Sequence, residues 1–263
     1  MVAAAVTGWF RLWQATLFIP QTWNDTKAYL AVAAAPIWSR AFWLGVRPPG
    51  LPLLWKFTGS PNGLGLVQAI VAVTAWSLLA WMVGSCVPGE VRATVASLTV
   101  LIFSTATPIF LWDNSILTES LSISMVAALT AGVIWLCRAP GIAPAALTVA
   151  ALLGAVLLRD SQIGLALFVG LGGLLLARVR RRDAPLSSVA WNAGVIAMEI
   201  ALVGALLVLY VGRTEESVRD IYFVRVFPYP ARVDWFAKHG MPQARQVNER
   251  AKQPSSRMCV IGS

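Results

Sequence analysis

Apolar residues dominate four stretches of this 263-residue chain, 64–83, 94–112, 116–136 and 186–211. Each is close to the ~20 residues that an α-helix needs to cross a bilayer, so each predicts a spanning helix. The stretch 145–177 is as apolar but is broken by Arg159, Asp160, Ser161 and Gln162, which predicts two short helices meeting at a polar turn. The first stretch, 2–19, carries Arg11 and Gln14 near its middle. Facing lipid, that arginine alone costs about 2.5–3.5 kcal/mol, so this helix reads as the remnant of a longer one. The pattern predicts an all-α polytopic membrane domain of about seven helices over 1–212. In the segment 20–63 a short helix is expected to start near Asp25 and lie along the interface to about Ala35. The mixed-charge tail, 213–263, reads as an incomplete loop or domain.

Composition sharpens that picture. Hydrophobic residues make up 57% of the chain and charged residues 13%, more apolar surface than a soluble domain of this size can bury. The net charge of +9 would suggest nucleic acid in a soluble protein. Here, however, Arg178, Arg180, Arg181 and Arg182 cluster just after an apolar run, where they act as a topology signal. Placing that cluster in the cytoplasm puts the N-terminus inside and 20–63 and the tail outside. The chain is then expected to be multi-pass in the cytoplasmic membrane, with lipid and not nucleic acid around it. The twelve tryptophans, among them Trp23, Trp38, Trp43, Trp55 and Trp112, suit an aromatic belt at the headgroups. Cys86, Cys137, Cys259 and a lone His239 indicate neither a disulfide framework nor a zinc site, and Arg11 interrupts the place where a signal peptide would need its apolar core.

Candidate chemistry follows from this topology. Asp25, Asp113, Glu119 and Asp160 all fall at the external face, at the ends of different helices, as a site at the membrane surface would require. Asp25 and Asp113 have an alternative use at helix starts, where carboxylates suit the free amides and the dipole. Glu119 is expected about one turn inside an apolar segment, where an unneeded charge is costly. Arg47 precedes Pro48, Pro49 and Gly50 in a stiff turn, and its planar fork suits a phosphate or an anionic headgroup. Arg159 has either a site role or an ion pair with Asp160. Glu199, inside the last helix, reads as part of an ion path or as an interhelical hydrogen-bonding group.

Taken in order, these motifs resemble the GT-C superfamily of membrane glycosyltransferases, which includes protein O-mannosyltransferases and the lipid A aminoarabinose transferase. The resemblance rests on Asp25 followed by Tyr29 in the first external segment, then Arg47-Pro48-Pro49-Gly50-Leu51-Pro52, then Asp113-Asn114 with Leu117-Thr118-Glu119-Ser120, and less closely on Trp235-Phe236 with Gly240-Met241-Pro242. It implies inverting transfer of a sugar from a polyprenyl-phosphate donor to a glycan, lipid or protein acceptor at the outer face. Asp25 would be the base, Asp113 and Glu119 would orient the site, and Tyr29, Arg47, Lys56 and Arg159 would bind substrate. Some relatives use a divalent metal ion and others none; Asp25, Asp113 and Glu119 are the set that would hold one. Such enzymes usually have longer chains, so the resemblance also implies a truncated member. The rival expectations are a transporter or lipid flippase, in which Glu199 would matter, and an inactive fragment of a transferase.

Overall fold

The computed structural model describes residues 2–106, 109, 111–179, 184–213 and 229–240. Among them 83% are helical and no strand forms. In chain order the helices are α1 (Val2–Leu17), α2 (Asn24–Ala34), α3 (Arg40–Trp43), α4 (Gly50–Thr58), α5 (Pro61–Cys86), α6 (Glu90–Ser104), α7 (Glu119–Arg138), α8 (Ile142–Leu158), α9 (Ile163–Val179), α10 (Ala184–Val211) and α11 (Pro230–Lys238). Short 3-10 turns occupy Leu111–Asn114 and Asp160–Gln162. Four helical segments are long and apolar enough to cross a membrane: Pro61–Cys86, Glu119–Arg138, Asp160–Val179 and Ser187–Val211. Ile142–Leu158 is apolar but shorter. The polar turn expected at Arg159 to Gln162 separates α8 from α9.

Two boundaries differ from the sequence expectation. The run at 94–112 does not form one helix: α6 starts at Glu90 and stops at Ser104. Thr105 closes its last turn on Ile102 and Phe103, so the chain leaves the helix well before the apolar residues end. Glu119 is the first residue of α7 and not one turn inside it. At that position the free amides and positive dipole end favour a carboxylate.

Chemistry at the ends explains the short interfacial elements. Ser39 accepts a hydrogen bond from the Phe42 amide and starts α3. Gly59, at φ +65°, ends α4 in the left-handed conformation that glycine adopts without strain. Ser60 caps α5 by accepting from Gly63, and Pro61 fills the first helical position, where its missing amide proton costs nothing.

The unit Met1–Leu207 is packed largely through small side chains. Ala72 and Ala75 of α5, Ala127 and Ala128 of α7, Ala151 of α8, Ala166 of α9 and Ala197 and Ala201 of α10 share one core with Trp76, Leu129 and Leu152. Small residues let helix backbones approach closely, which is how helices associate where lipid removes the hydrophobic driving force. A second cluster, Tyr29, Leu51, Leu64, Ile116, Leu117, Leu121 and Leu158, seats α2 and α4 on the ends of α5, α7 and α8. The unit Val208–Ser263 contains α11, whose Trp235 ring stacks at 4.2 Å on that of His239, the residue that follows the helix.

Candidate functional site

The site is built around the segment Asn114 to Thr118, which is held from three sides. Gln21 donates its amide to the Asn114 carbonyl at 2.7 Å and accepts from the Ile116 amide at 2.9 Å, a single parallel bridge with Ser115. Thr26 of α2 donates its hydroxyl to the Ile116 carbonyl at 2.9 Å. Gln68 of α5, fully buried, donates its side-chain amide to the Leu117 carbonyl at 2.9 Å. These bonds satisfy the loop's polar backbone and fix Thr118 and Glu119 against α2.

Asp25 is the second residue of α2, and Thr26, not Asp25, accepts the Trp23 amide at 2.9 Å. The carboxylate instead meets Arg47, whose guanidinium donates to Oδ1 at 2.8 Å. The guanidinium carbon also sits 5.7 Å from the Tyr29 ring centroid, a cation–π distance. The Tyr29 hydroxyl lies 3.4 Å from the Thr118 hydroxyl. Burial pushes the Tyr29 phenol above its usual pKa, with Thr118 and Arg47 pulling it down and Glu119 and Asp25 adding to the rise. It is therefore a neutral hydroxyl at physiological pH. Next to Thr118, Glu119 receives Arg159 on Oε1 at 3.4 Å, while its shielded Oε2 has no hydrogen-bond partner among the described residues.

A contiguous chain results, Asp25, Arg47, Tyr29, Thr118, Glu119 and Arg159, in which cations and carboxylates alternate. The four charged side chains are 28–43% exposed, so they are open to a ligand and still shielded enough for their charges to be felt.

Gly50 brings the two arginine-bearing elements together. A Cβ at Gly50 would lie 2.7 Å from the Leu157 carbonyl oxygen and 3.1 Å from the Leu158 nitrogen, so α4 starts directly on the backbone at the end of α8, beside Arg159. Gly50→Ala is expected to cost about 1–3 kcal/mol, the scale of overpacking, because backbone cannot rotate away. Thermal unfolding in detergent measures this, and an unchanged midpoint would contradict the close approach.

Asp113 belongs to a separate, buried arrangement. It is 5% exposed, and Arg11 of α1 is 2% exposed. The Arg11 guanidinium donates to Oδ2 at 2.6 Å and to the Ser104 carbonyl, while Ser120 donates its hydroxyl to Oδ1 at 2.5 Å. Burial pushes the Asp113 carboxyl up, and Arg11 and Ser120 pull it back. With both oxygens engaged, Asp113 ties α1, α6 and α7 together. Arg11, costly on an isolated helix, is the buried partner that this carboxylate needs.

The expectation of one three-carboxylate metal set is corrected by this geometry. Asp25, Asp113 and Glu119 each face their own arginine, and among the described residues no group of three His, Cys, Asp or Glu side chains is placed to hold a metal ion. Lys56 stands apart from the chain of six: its ammonium lies 5.8 Å from the Phe42 ring centroid. Arg159 meets Glu119 of α7, a partner forty positions away that the sequence did not suggest. Sequence reasoning overlooked Gln68 and gave Ser120, part of the second acidic motif, no role of its own. Gln68 had a signal, since it is the one amide side chain in the run 64–83. The Trp235 and Phe236 pair lies in α11, and Met241 and Pro242 lie outside the described residues. No family model, curated protein or solved structure matches this chain.

Proposed function

We propose that the chain is a membrane glycosyltransferase of the GT-C type, moving a sugar from a polyprenyl-phosphate donor to an acceptor hydroxyl at the outer face of the cytoplasmic membrane. One observation carries this reading: the alternating chain of Arg47 with Asp25 and Arg159 with Glu119, half-open at the ends of apolar helices. Two guanidiniums suit a lipid-linked phosphate, and their planar forks keep donors to spare after one carboxylate bond each. Arg47 leaves Asp25 Oδ2 for the acceptor's proton. The acceptor oxygen forms a bond to the anomeric carbon, the sugar–phosphate bond breaks with its electrons passing to the phosphate oxygen, and configuration inverts. Glu119 holds the Arg159 guanidinium at the site, and the Tyr29 ring backs that of Arg47. Asp113 is a positioning residue that, with Arg11, holds α1 against the ends of α6 and α7. A transport path is less well supported, because Glu199 is exposed on α10, away from that helix's buried alanines.

The test is release of polyprenyl phosphate from a polyprenyl-phosphate sugar by the full chain in vesicles. Arg47→Gln, which keeps a hydrogen bond to Asp25 but removes the charge, is expected to lower kcat/KM by about 10–100-fold, the scale of a lost charge-assisted contact. No wild-type turnover with any such donor and acceptor would sink the reading.

In this reading α1 and α5 to α10 are seven spans, with the N-terminus inside. Cys86 and Cys137 are both exposed, and Arg138 donates to the Ser85 carbonyl, so both cysteines lie at one end of the α5–α7 pair. On intact cells an impermeant thiol reagent is expected to miss both; labelling of both would invert the orientation. Cys259 lies outside the described residues.

A further inference from the structure

The helix α10 has an inside-out distribution of side chains. Its buried face is small: Ala190, Ala193, Ala197 and Ala201, with Gly194 so close to α9 that a Cβ there would lie 2.9 Å from the Leu174 nitrogen and 3.1 Å from the Gly170 oxygen. Its outer face is large and apolar, with Leu202 61%, Val203 55% and Leu206 57% exposed. Asn192 and Glu199, both exposed, interrupt that face, with Ser188 on the same side nearer the helix start. At about 100° per residue, Glu199 is nearly opposite Ala190 and only about 20° from Asn192.

Glu199 lies twelve residues from each end of the apolar segment Ser187–Val211, at the depth where a carboxylate is tolerated least. Neither Glu199 nor Asn192 has a hydrogen bond or ion pair with any described residue. The packing face is already filled by α9, so no rotation of α10 within the bundle buries the carboxylate without expelling the alanines. A carboxylate of this cost, with no partner among the described residues, is open to one supplied from outside the chain.

We propose that the outer face of α10 is a docking surface for a membrane-spanning helix of another protein, one that carries a lysine or arginine near its own midpoint. Charge selects that occupant over a second copy of this chain. A symmetric pair would set Glu199 against Glu199, and like charges repel strongly where the dielectric is low. Asn192, seven residues from Glu199, sets the register: residues a heptad apart stay on one seam when two helices cross at about 20°. The partner helix would therefore place a hydrogen-bonding side chain two turns from its cation. This surface is distinct from the Arg47 and Arg159 site and does not depend on what that site does.

The experiment measures association and not turnover. The full chain, fluorescently labelled on its cysteines, is diluted into phosphatidylcholine vesicles with an acceptor-labelled synthetic leucine–alanine helix bearing one central lysine, or leucine in its place. Energy transfer is expected to show the lysine helix associating about tenfold more tightly, the scale of one interhelical polar contact in a membrane. Glu199→Gln should remove most of that preference and Glu199→Asp should keep it, while Asn192→Ala weakens it by a smaller factor. Equal association of the two synthetic helices with the wild-type chain would overturn the proposal without any variant. So would an undiminished lysine preference in Glu199→Gln, or self-association of the chain that excludes both helices.

Discussion

Under the proposed transferase function, Asp25→Asn protein is expected to fold normally and to transfer sugar about 10² to 10⁴ times more slowly, the contribution of a general base. Folding survives because the amide has the shape of the carboxylate and its oxygen still accepts from Arg47. The half-exposed Asp25–Arg47 ion pair is itself worth about 1 kcal/mol or less. Turnover fails because an amide cannot take the acceptor's proton at neutral pH. A purely structural Asp25 makes the opposite forecast, near-normal transfer in the asparagine variant and a stability loss in Asp25→Ala. Transfer from a polyprenyl-phosphate sugar in vesicles, normalised to folded protein, separates the two. Unchanged turnover in Asp25→Asn would remove the residue from the chemistry.

The largest stability effect belongs to the other carboxylate. Asp113→Leu leaves the Arg11 guanidinium buried without its counter-ion and is expected to destabilise the protein by about 3–5 kcal/mol. Replacing both partners, Arg11→Leu with Asp113→Leu, removes the stranded charge together with the ion pair. The double variant should then recover most of the loss, since well-packed apolar residues often replace a buried pair at little net cost. The coupling is read from a double-mutant cycle in denaturant unfolding of the detergent-solubilised chain. Independent, additive losses would mean that the two side chains do not meet.

How much of this was legible in sequence depended on whether the signal was local. Apolar length alone located α5, α7 and α10, and the polar interruption at Arg159 to Gln162 located the turn between α8 and α9. The end of α6 had a signal that apolar length passes over: Pro108 has no amide proton for the Ser104 carbonyl four residues before it. That carbonyl accepts from Arg11 instead, a partner the sequence does not show. Asp25, Arg47, Tyr29, Glu119 and Arg159 were visible as residue types at helix ends, but their pairing was not. Which arginine meets which acid is fixed by Gly50 seating α4 on α8 and by Gln68 holding the Leu117 carbonyl, contacts between residues far apart in sequence. Arg11 was readable only as an anomaly. Apolar patterning assigns it a cost and says nothing of Asp113, 102 positions away.

That separation imposes an order on biosynthesis. When α1 leaves the ribosome, its arginine has no acid to meet, because about a hundred further residues must be made before Asp113 exists. The final seating of α1 against α5 and α6 must therefore follow their synthesis. Until then the guanidinium of α1 must keep water or another polar group beside it, and the closing of the Arg11–Asp113 pair marks the moment at which the chain itself supplies that partner.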